Sequence, residues 1–151
     1  MTLQLEYAMD IHVQVGEPLE IGTTQAGRRR IIPITGGTFE GPRLKGKVLA
    51  GGADWQIIDA HYQTQLEARY SLQTDDGTGI AVINRGVRRG PEEVMQRLLR
   101  GEEVSPDAYY FRTMPFFEVA SEQYAWLNDY LFVAECERHP TTVKIKVFQI
   151  L

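Results

Sequence analysis

The chain begins with a regular alternation of apolar and polar residues. From Leu3 to Val15 every odd position is apolar, and every even position except Ala8 is polar. Successive side chains of a β-strand point to opposite faces, so this period of two predicts one long, half-buried strand. Residues 65–73 alternate in the same way. Their two faces carry Leu66, Ala68, Tyr70 and Leu72 on one side and Glu67, Arg69 and Ser71 on the other.

The remaining strands and one helix follow from similar patterns. Asp75-Asp76-Gly77 is typical of a hairpin turn. Pro91 suits the first position of a helix, its neighbours Glu92 and Glu93 oppose the positive end of the helix dipole, and Gly101 ends the pattern. A helix of about ten residues is marginal alone, so it must pack on the sheet. Further strands are predicted over residues 29–34, 79–85, 109–119, 124–134 and 143–150.

Glycine and proline are concentrated between residues 36 and 55. Seven of these residues are Gly or Pro, and they stand among good strand formers such as Phe39 and Trp55. This combination indicates bulges, sharp bends and close backbone approach. We therefore predict a mainly β fold, a single closed or nearly closed antiparallel barrel of about eight to ten strands with one short helix packed on it. Residues 1–151 are expected to form this one domain.

Composition limits the possible partners and compartments. The net charge of −4 argues against a protein that binds nucleic-acid phosphates. Cys136 is the only cysteine, which excludes an intrachain disulfide and fits a reducing compartment. The first residues do not resemble a signal peptide, and no stretch approaches the roughly 18 apolar residues that cross a bilayer. We expect a cytoplasmic protein that binds no membrane. The scattered histidines have no metal-ligand spacing, so we expect neither a metal nor another cofactor.

Polar residues within aromatic-rich strands are the candidates for chemistry. A barrel of about eight strands can enclose one small ligand, and alternate residues of each strand point into its lumen. If the polar face of residues 65–73 is the lumen, arginines and carboxylates line a small-molecule pocket. The same face could equally be the solvent side of a half-buried sheet. The pattern leaves this choice open.

Ordered sequence blocks connect the chain with a known family. The blocks are Gly36–Pro42, Gly51–Trp55, Thr74–Gly77, Asn84–Gly86, Tyr110–Thr113, Phe117–Glu118 and Trp126–Asn128. Together they resemble the UPF0311 family, also described as domain of unknown function 3237. The resemblance implies a β-barrel and brings no settled activity. The chain departs from the family pattern at residues 135–139, where a glycine-containing turn is expected. Polar residues within the blocks are Glu40, Arg43, Asp54, Asn84, Arg112, Glu118 and Asn128, and Trp126 accompanies them.

The preferred functional hypothesis is a cofactor-independent acid–base enzyme, of the isomerase, cyclase or hydratase type. Its substrate would be a small organic acid or a cyclic carbonyl compound. Glu40, Asp54 or Glu118 would transfer the proton, with a pKa raised by aromatic surroundings. The predicted ligand-binding residues are Arg43, Arg69, Asn84, Tyr110, Arg112, Trp126 and Asn128.

Two other hypotheses remain. The chain could be a lipocalin-like barrel that holds a metabolite without transforming it. It could also be an assembly module whose exposed strands pair between subunits. A homodimer is expected and is compatible with all three hypotheses.

Overall fold

The computed structural model describes residues 2–151 and is built almost entirely of strands. The strands are β1 (Leu5–Val15), β2 (Leu19–Thr24), β3 (Gly27–Glu40), β4 (Lys45–Val48), β5 (Gly52–Ile58), β6 (Thr64–Thr74), β7 (Gly79–Arg89), β8 (Tyr110–Val119), β9 (Phe132–Arg138) and β10 (Thr142–Ile150). The α-helices are α1 (Glu92–Leu99) and α2 (Trp126–Asp129), and single 3₁₀ turns cover Pro106–Ala108 and Glu122–Tyr124. No helix in this part of the chain is long and apolar enough to cross a membrane.

The strands close into an eight-stranded antiparallel barrel, as predicted. Neighbours run in the order β1, β10, β9, β8, β7 and β6. Both β4 and β5 pair with β6 on one side and with β3 on the other, so they share one position in the wall. The second half of β3 pairs with β1, which closes the cylinder. The first half of β3 pairs with β2 on the same edge.

Two short helical segments cover the two ends of the barrel. At the end where β7 finishes, α1 buries Met95 and Leu98 in the hydrophobic core. At the opposite end, α2 buries Leu127, and Tyr124 and Phe132 pack into the same core. These ends are called the α1 end and the α2 end below. The prediction of one short packed helix is confirmed by α1, whereas α2 was not expected.

A close approach of β1 and β3 accounts for part of the glycine-rich segment. Gly37 has a φ of +136°, a conformation that other residues rarely adopt. A Cβ atom at this position would lie 2.0 Å from the backbone oxygen of His12. The predicted close backbone approach therefore exists, and only glycine permits it here.

Three local predictions were wrong. Residues 124–134 do not form one strand, because the 3₁₀ turn and α2 precede β9. Within β1 the register shifts between Tyr7 and Met9, so Leu5 and Tyr7 face solvent although the alternation placed them inside. β2 was missed because its alternation covers only Leu19 to Ile21, and all its residues are exposed.

Residues 135–139 contain more strand than the predicted turn would allow. β9 continues to Arg138, and the turn to β10 is closed by a hydrogen bond from the His139 amide to the Thr142 carbonyl. β9 therefore occupies the position where the family pattern led us to expect a glycine-containing turn.

The barrel wall is unevenly hydrogen-bonded. β7 and β8 pair from Ile80 with Val119 to Arg89 with Tyr110. By contrast, the ladder between β8 and β9 comprises only Arg112 with Glu135 and Thr113 with Ala134. Pro115 lies within β8, beyond the two paired residues, and has no backbone N–H to donate. The β8–β9 seam is thus the most weakly paired line in the wall.

Candidate functional site

The lumen contains an internal cavity of about 40 Å³ towards the α1 end. Its walls are mainly aliphatic, from residues such as Val13, Ile32 and Leu66. Six strongly polar side chains also line it. They are Asp54, Gln56, Tyr70, Asn84, Arg88 and Arg138.

Strand phase and register explain how these side chains meet. Asp54 of β5 is the partner of Ala68 in β6, which in turn is the partner of Asn84 in β7. Residues two apart on one strand share a face, which adds Gln56 beside Asp54 and Arg88 beyond Asn84. Four strands thus direct polar groups into one small space.

All six residues have a buried polar atom without a hydrogen-bond partner among the described residues. The atoms are Asp54 Oδ1, Gln56 Oε1, Tyr70 Oη, Asn84 Oδ1, Arg88 Nε and Arg138 Nη1. An unpaired buried polar group costs about 1–3 kcal/mol, so native proteins contain few of them. Six of them belong to residues that line this one cavity.

Asp54 is a buried carboxyl group whose ionisation its surroundings disfavour. Burial raises the pKa of its carboxyl above the ordinary value. The Gln56 amide donates a 2.9 Å hydrogen bond to Oδ2, and the positive charges of Arg88 and Arg138 also act against this rise. One oxygen is therefore held in place, and the other faces the cavity unbonded.

The neighbouring Tyr70 and Cys136 stay protonated. Burial raises the pKa of the Tyr70 hydroxyl, so it is available as a neutral hydrogen-bond donor. Burial also raises the pKa of the Cys136 thiol to about 12. Its Sγ lies 3.4 Å from Thr113 Oγ1. A thiol in this environment is not a nucleophile.

Three arginines lie near the α1 end, and two of them have no anionic partner in contact. Arg30 donates to Glu20 at 2.7 Å and to the Leu99 carbonyl at 3.0 Å. Burial and the nearby charge of Arg138 lower the pKa of Arg88 to about 10, so it remains a cation at neutral pH. Its guanidinium lies 5.3 Å from the centre of the Phe111 ring.

Two of the residues predicted from sequence lie in this cavity, namely Asp54 and Asn84. The polar face of β6 is the solvent side: Arg69 is exposed and pairs with Glu67 at 3.7 Å. The exterior of β8 carries Tyr110, Arg112 and Glu118, all exposed.

The other predicted residues lie towards the α2 end. The Arg43 guanidinium stacks 4.0 Å from the Trp126 ring centre. Asn128 accepts a 2.9 Å bond from the Val119 amide and donates a 2.8 Å bond to its carbonyl. Glu40 is exposed and lines an open groove on the outside of the barrel. None of these residues contacts the cavity.

Sequence reasoning missed Gln56, Tyr70, Arg88 and Arg138. The sequence pattern that could have revealed them is the alternation of inward-facing and outward-facing positions along each strand. In β7 the buried positions run Ile80, Val82, Asn84 and then Arg88, and in β9 they end with Arg138. The informative pattern was a polar residue at a position where the alternation of the strand calls for an apolar one, whereas attention to the polar positions selected exterior residues.

No group of His, Cys, Asp and Glu within residues 2–151 is arranged to hold a metal.

The fold and the cavity define a class: small antiparallel β-barrels with a polar site inside an otherwise apolar lumen. Residues 3–150 match the family described as "Protein of unknown function (DUF3237)", and the chain belongs to this family. It is 45% identical over 150 residues to UPF0311 protein RPA1785 of Rhodopseudomonas palustris, covering 99% of this chain and 98% of the relative. It is 40% identical over 149 residues to UPF0311 protein CA_C3321 of Clostridium acetobutylicum, covering 98% and 94%.

Solved structures show the same barrel. The crystal structure of RPA1785 has a TM-score of 0.95 at 44% identity and covers 100% of this chain and 99% of that one. A β-barrel like protein of Acinetobacter baumannii has a TM-score of 0.88 at 40% identity, covering 100% and 98%. An enzyme from Penicillium herquei has the same fold, with a TM-score of 0.75 at 21% identity and coverage of 100% and 96%.

Proposed function

We propose that this barrel binds a small organic compound in its lumen and acts on it by acid–base chemistry without a cofactor. Asp54 is the proton-transfer residue. The observation that carries the proposal is the convergence of six unsatisfied buried polar atoms on one cavity. Polar groups with a structural role in a core are normally hydrogen-bonded to one another, whereas groups that bind a ligand lack a partner until the ligand is bound.

The arrangement suits proton transfer next to a carbonyl group. The Asp54 carboxylate removes a proton from the carbon beside the carbonyl, and the electron pair of that C–H bond moves to give an enolate oxygen. Arg88, Arg138 and the Tyr70 hydroxyl are the groups available to stabilise this negative charge. Asp54, now protonated, returns the proton to a different atom of the same molecule. The net result is an isomerisation. Where the enolate instead adds to a double bond of the same molecule, the π electrons of that bond move to its far carbon, which takes the proton from Asp54, and the net result is a cyclisation.

Burial of Asp54 supports its role in both directions of proton transfer. A carboxylate in water is a weak base for carbon, and its conjugate acid is too strong to remain protonated at neutral pH. Desolvation raises the pKa and so brings acid and base forms closer to balance. The 2.9 Å bond from Gln56 fixes the orientation of the carboxyl while leaving Oδ1 free for the substrate.

Hydrogen–deuterium exchange tests this function without knowledge of the natural substrate. Small keto acids and cyclic ketones would be incubated with the protein in D₂O, and loss of the proton signal beside the carbonyl would be followed by NMR. We expect catalysed exchange for at least one compound and its loss in Asp54→Asn. Asp129→Asn, which alters an exposed carboxylate of α2, serves as the control. Exchange that persists in Asp54→Asn would contradict the assignment.

A non-catalytic binding barrel is the second candidate. It is favoured by the size of the cavity. A volume of about 40 Å³ admits only a few heavy atoms unless side chains move, which leaves a bound molecule little room to change shape in a reaction. Ligand-induced stabilisation without proton exchange for any compound would support it.

The homodimer stays a prediction, for which exposed Leu5, Met114 and Phe116 on the barrel exterior supply apolar surface.

A further inference from the structure

The charges around the cavity do not balance. Arg88 is 2% exposed and Arg138 is 7% exposed, and both line the cavity. Asp54 is the only carboxylate among the lining residues. Two buried cations therefore face one anion, and the excess is larger whenever Asp54 is protonated. Burying a charge without a partner is strongly unfavourable, so such charges are normally paired.

Arg30 is a buried arginine with a structural role, and its charge, unlike those of Arg88 and Arg138, is paired. Arg30 is 9% exposed, and its charge is met by Glu20 at 2.7 Å and by the carbonyl at the C-terminus of α1 at 3.0 Å. Arg88 and Arg138 lie nearby, yet no carboxylate within residues 2–151 is at salt-bridge distance from either. Each also keeps a buried N–H without a partner.

We propose that Arg88 and Arg138 form a seat for a planar oxyanion of the carboxylate type, so that the ligand of this barrel is a small organic acid and not a neutral carbonyl compound. This inference rests on the proposed function only in taking the cavity to be the ligand site. Guanidinium groups present fixed pairs of N–H donors that match a carboxylate, and the bound anion would restore charge balance.

The size of the cavity agrees with such an occupant. About 40 Å³ of space accommodates a group of the size of one or a few water molecules, which is roughly what a carboxylate needs. Aliphatic side chains surround the polar groups, so the apolar part of a short acid would find suitable contacts. Asp54, whose Oδ1 has no hydrogen-bond partner, lines the same cavity.

Acetate and acetamide provide a matched pair of probes, since they have the same shape and differ in charge. Thermal unfolding of the full chain would be measured with each, at constant ionic strength in a buffer whose only other anion is bulky. We expect acetate to raise the unfolding midpoint in a saturable way and acetamide to have no effect. An equal response to the two probes, or none to acetate, would overturn the proposal.

Arginine variants locate the effect. Arg88→Gln and Arg138→Gln should each weaken acetate binding at least tenfold. Arg89→Gln is the matched control, because Arg89 is the next residue of β7 and faces solvent. Acetate binding that survives both cavity variants would overturn the proposal. Should a cavity variant fail to fold, the comparison of acetate with acetamide in the unaltered protein still decides whether the seat exists.

Nitrate is also a planar oxyanion, and it tests whether the seat binds an organic acid or an inorganic anion. Binding of nitrate without binding of acetate would overturn the assignment to an organic acid.

Asp54→Asn separates this inference from the proposed function. Removal of a negative charge beside the seat should increase the affinity for acetate, while the proposed proton exchange is lost. Tighter acetate binding in a protein that never catalyses exchange would support the seat and refute the enzyme. Lost exchange together with equal responses to acetate and acetamide would support the enzyme and refute the seat.

Discussion

The carboxyl of Asp54 stands in surroundings that disfavour its charge, and this has a consequence for stability. Its pKa is raised in the folded protein above the ordinary value, mainly by burial. A group of this kind contributes stability that is fully present below the unfolded pKa of about 3.9. That contribution is lost as the pH rises through the folded pKa. Raising the pH from the unfolded pKa towards the folded pKa of Asp54 therefore lowers the stability of the empty barrel.

Asp54→Asn should accordingly increase the free energy of unfolding at pH 7 in the absence of ligand. The gain should shrink as the pH falls towards 4, because the carboxyl of the unaltered protein becomes protonated there. Urea unfolding of both proteins between pH 4 and pH 7 would measure it. The Gln56 amide can rotate to pair with the new side chain. A variant that is less stable than the parent at pH 7 would show that Arg88 and Arg138 hold Asp54 as a structural ion pair.

Asn128 was predicted as a ligand-binding residue, and its contacts suggest a different test. Its amide bonds both the N–H and the carbonyl of Val119, the last residue of β8. Asn128→Ala should lower the free energy of unfolding by about 1–2 kcal/mol, the value of two part-buried hydrogen bonds. Acetate binding should be unchanged. Loss of binding in a stably folded variant would return Asn128 to the list of site residues.

Only part of the cavity lining could be read from the sequence. Asp54 could be predicted as a site residue because it follows Gly51 and Gly52, in a segment whose glycines indicated bends. Arg88 and Arg138 were not selected, because charged residues are expected on solvent faces. Their burial depends on strand phase across β7 and β9, which becomes certain only when the apolar neighbours are known to face the lumen.

At the scale of elements, α1 is fastened to the barrel by polar contacts at its beginning. The Gln63 side chain and the backbone of Gly90 exchange two hydrogen bonds of 3.0 Å. His61 Nδ1 lies 2.5 Å from a carboxylate oxygen of Glu92, in the first turn of α1. The contact raises the pKa of His61. Since α1 covers the end of the barrel nearest the cavity, these contacts bear on access to the lumen.

The His61–Glu92 contact should make the mobility of α1 depend on pH. Because the folded pKa of His61 is raised above the usual value of about 6.5, the ion pair is complete below that pH. It is lost as the pH rises through the folded pKa. We expect protection of the α1 amides, corrected for intrinsic exchange rates, to fall from pH 6 to pH 8.5, and His61→Gln to abolish this dependence. The exposed His12, in β1, offers His12→Gln as the control. Identical pH dependence in His61→Gln would contradict the prediction.

Elements with a clean period were predicted well, and mixed ones were not. β6 was foreseen because apolar and polar residues alternate along it without interruption. The segment 124–134 was taken for a strand because it is rich in aromatic residues. The spacing of three between Tyr124 and Leu127, both buried, is typical of a helical turn. The bulge at Tyr7 could not be read from sequence, because the alternation continues through it.

For the whole molecule, closure of the barrel was predictable and the identity of its interior was not. Long alternating strands and glycine bends indicated a closed sheet. Whether a given polar face points inward depends on how all eight positions of the wall close around it. One sequence alone does not settle that geometry at Arg69 or Arg112, which lie outside.

The short β8–β9 ladder leaves one weakly paired line in an otherwise continuously paired wall, and this has a kinetic consequence. Strands β6, β7 and β8 form a continuous meander of neighbours in sequence, whereas β9 and β10 must meet β1 from the other end of the chain. The seam between them offers few hydrogen bonds to reward its closure, so we expect it to form after the rate-limiting step of folding. Ala134→Gly, at the seam, should then speed unfolding and leave the folding rate nearly unchanged. Val82→Ala, within the meander, should slow folding. Stopped-flow measurements in urea would separate the two, and equal effects on both rates would place closure of the cylinder within the folding nucleus.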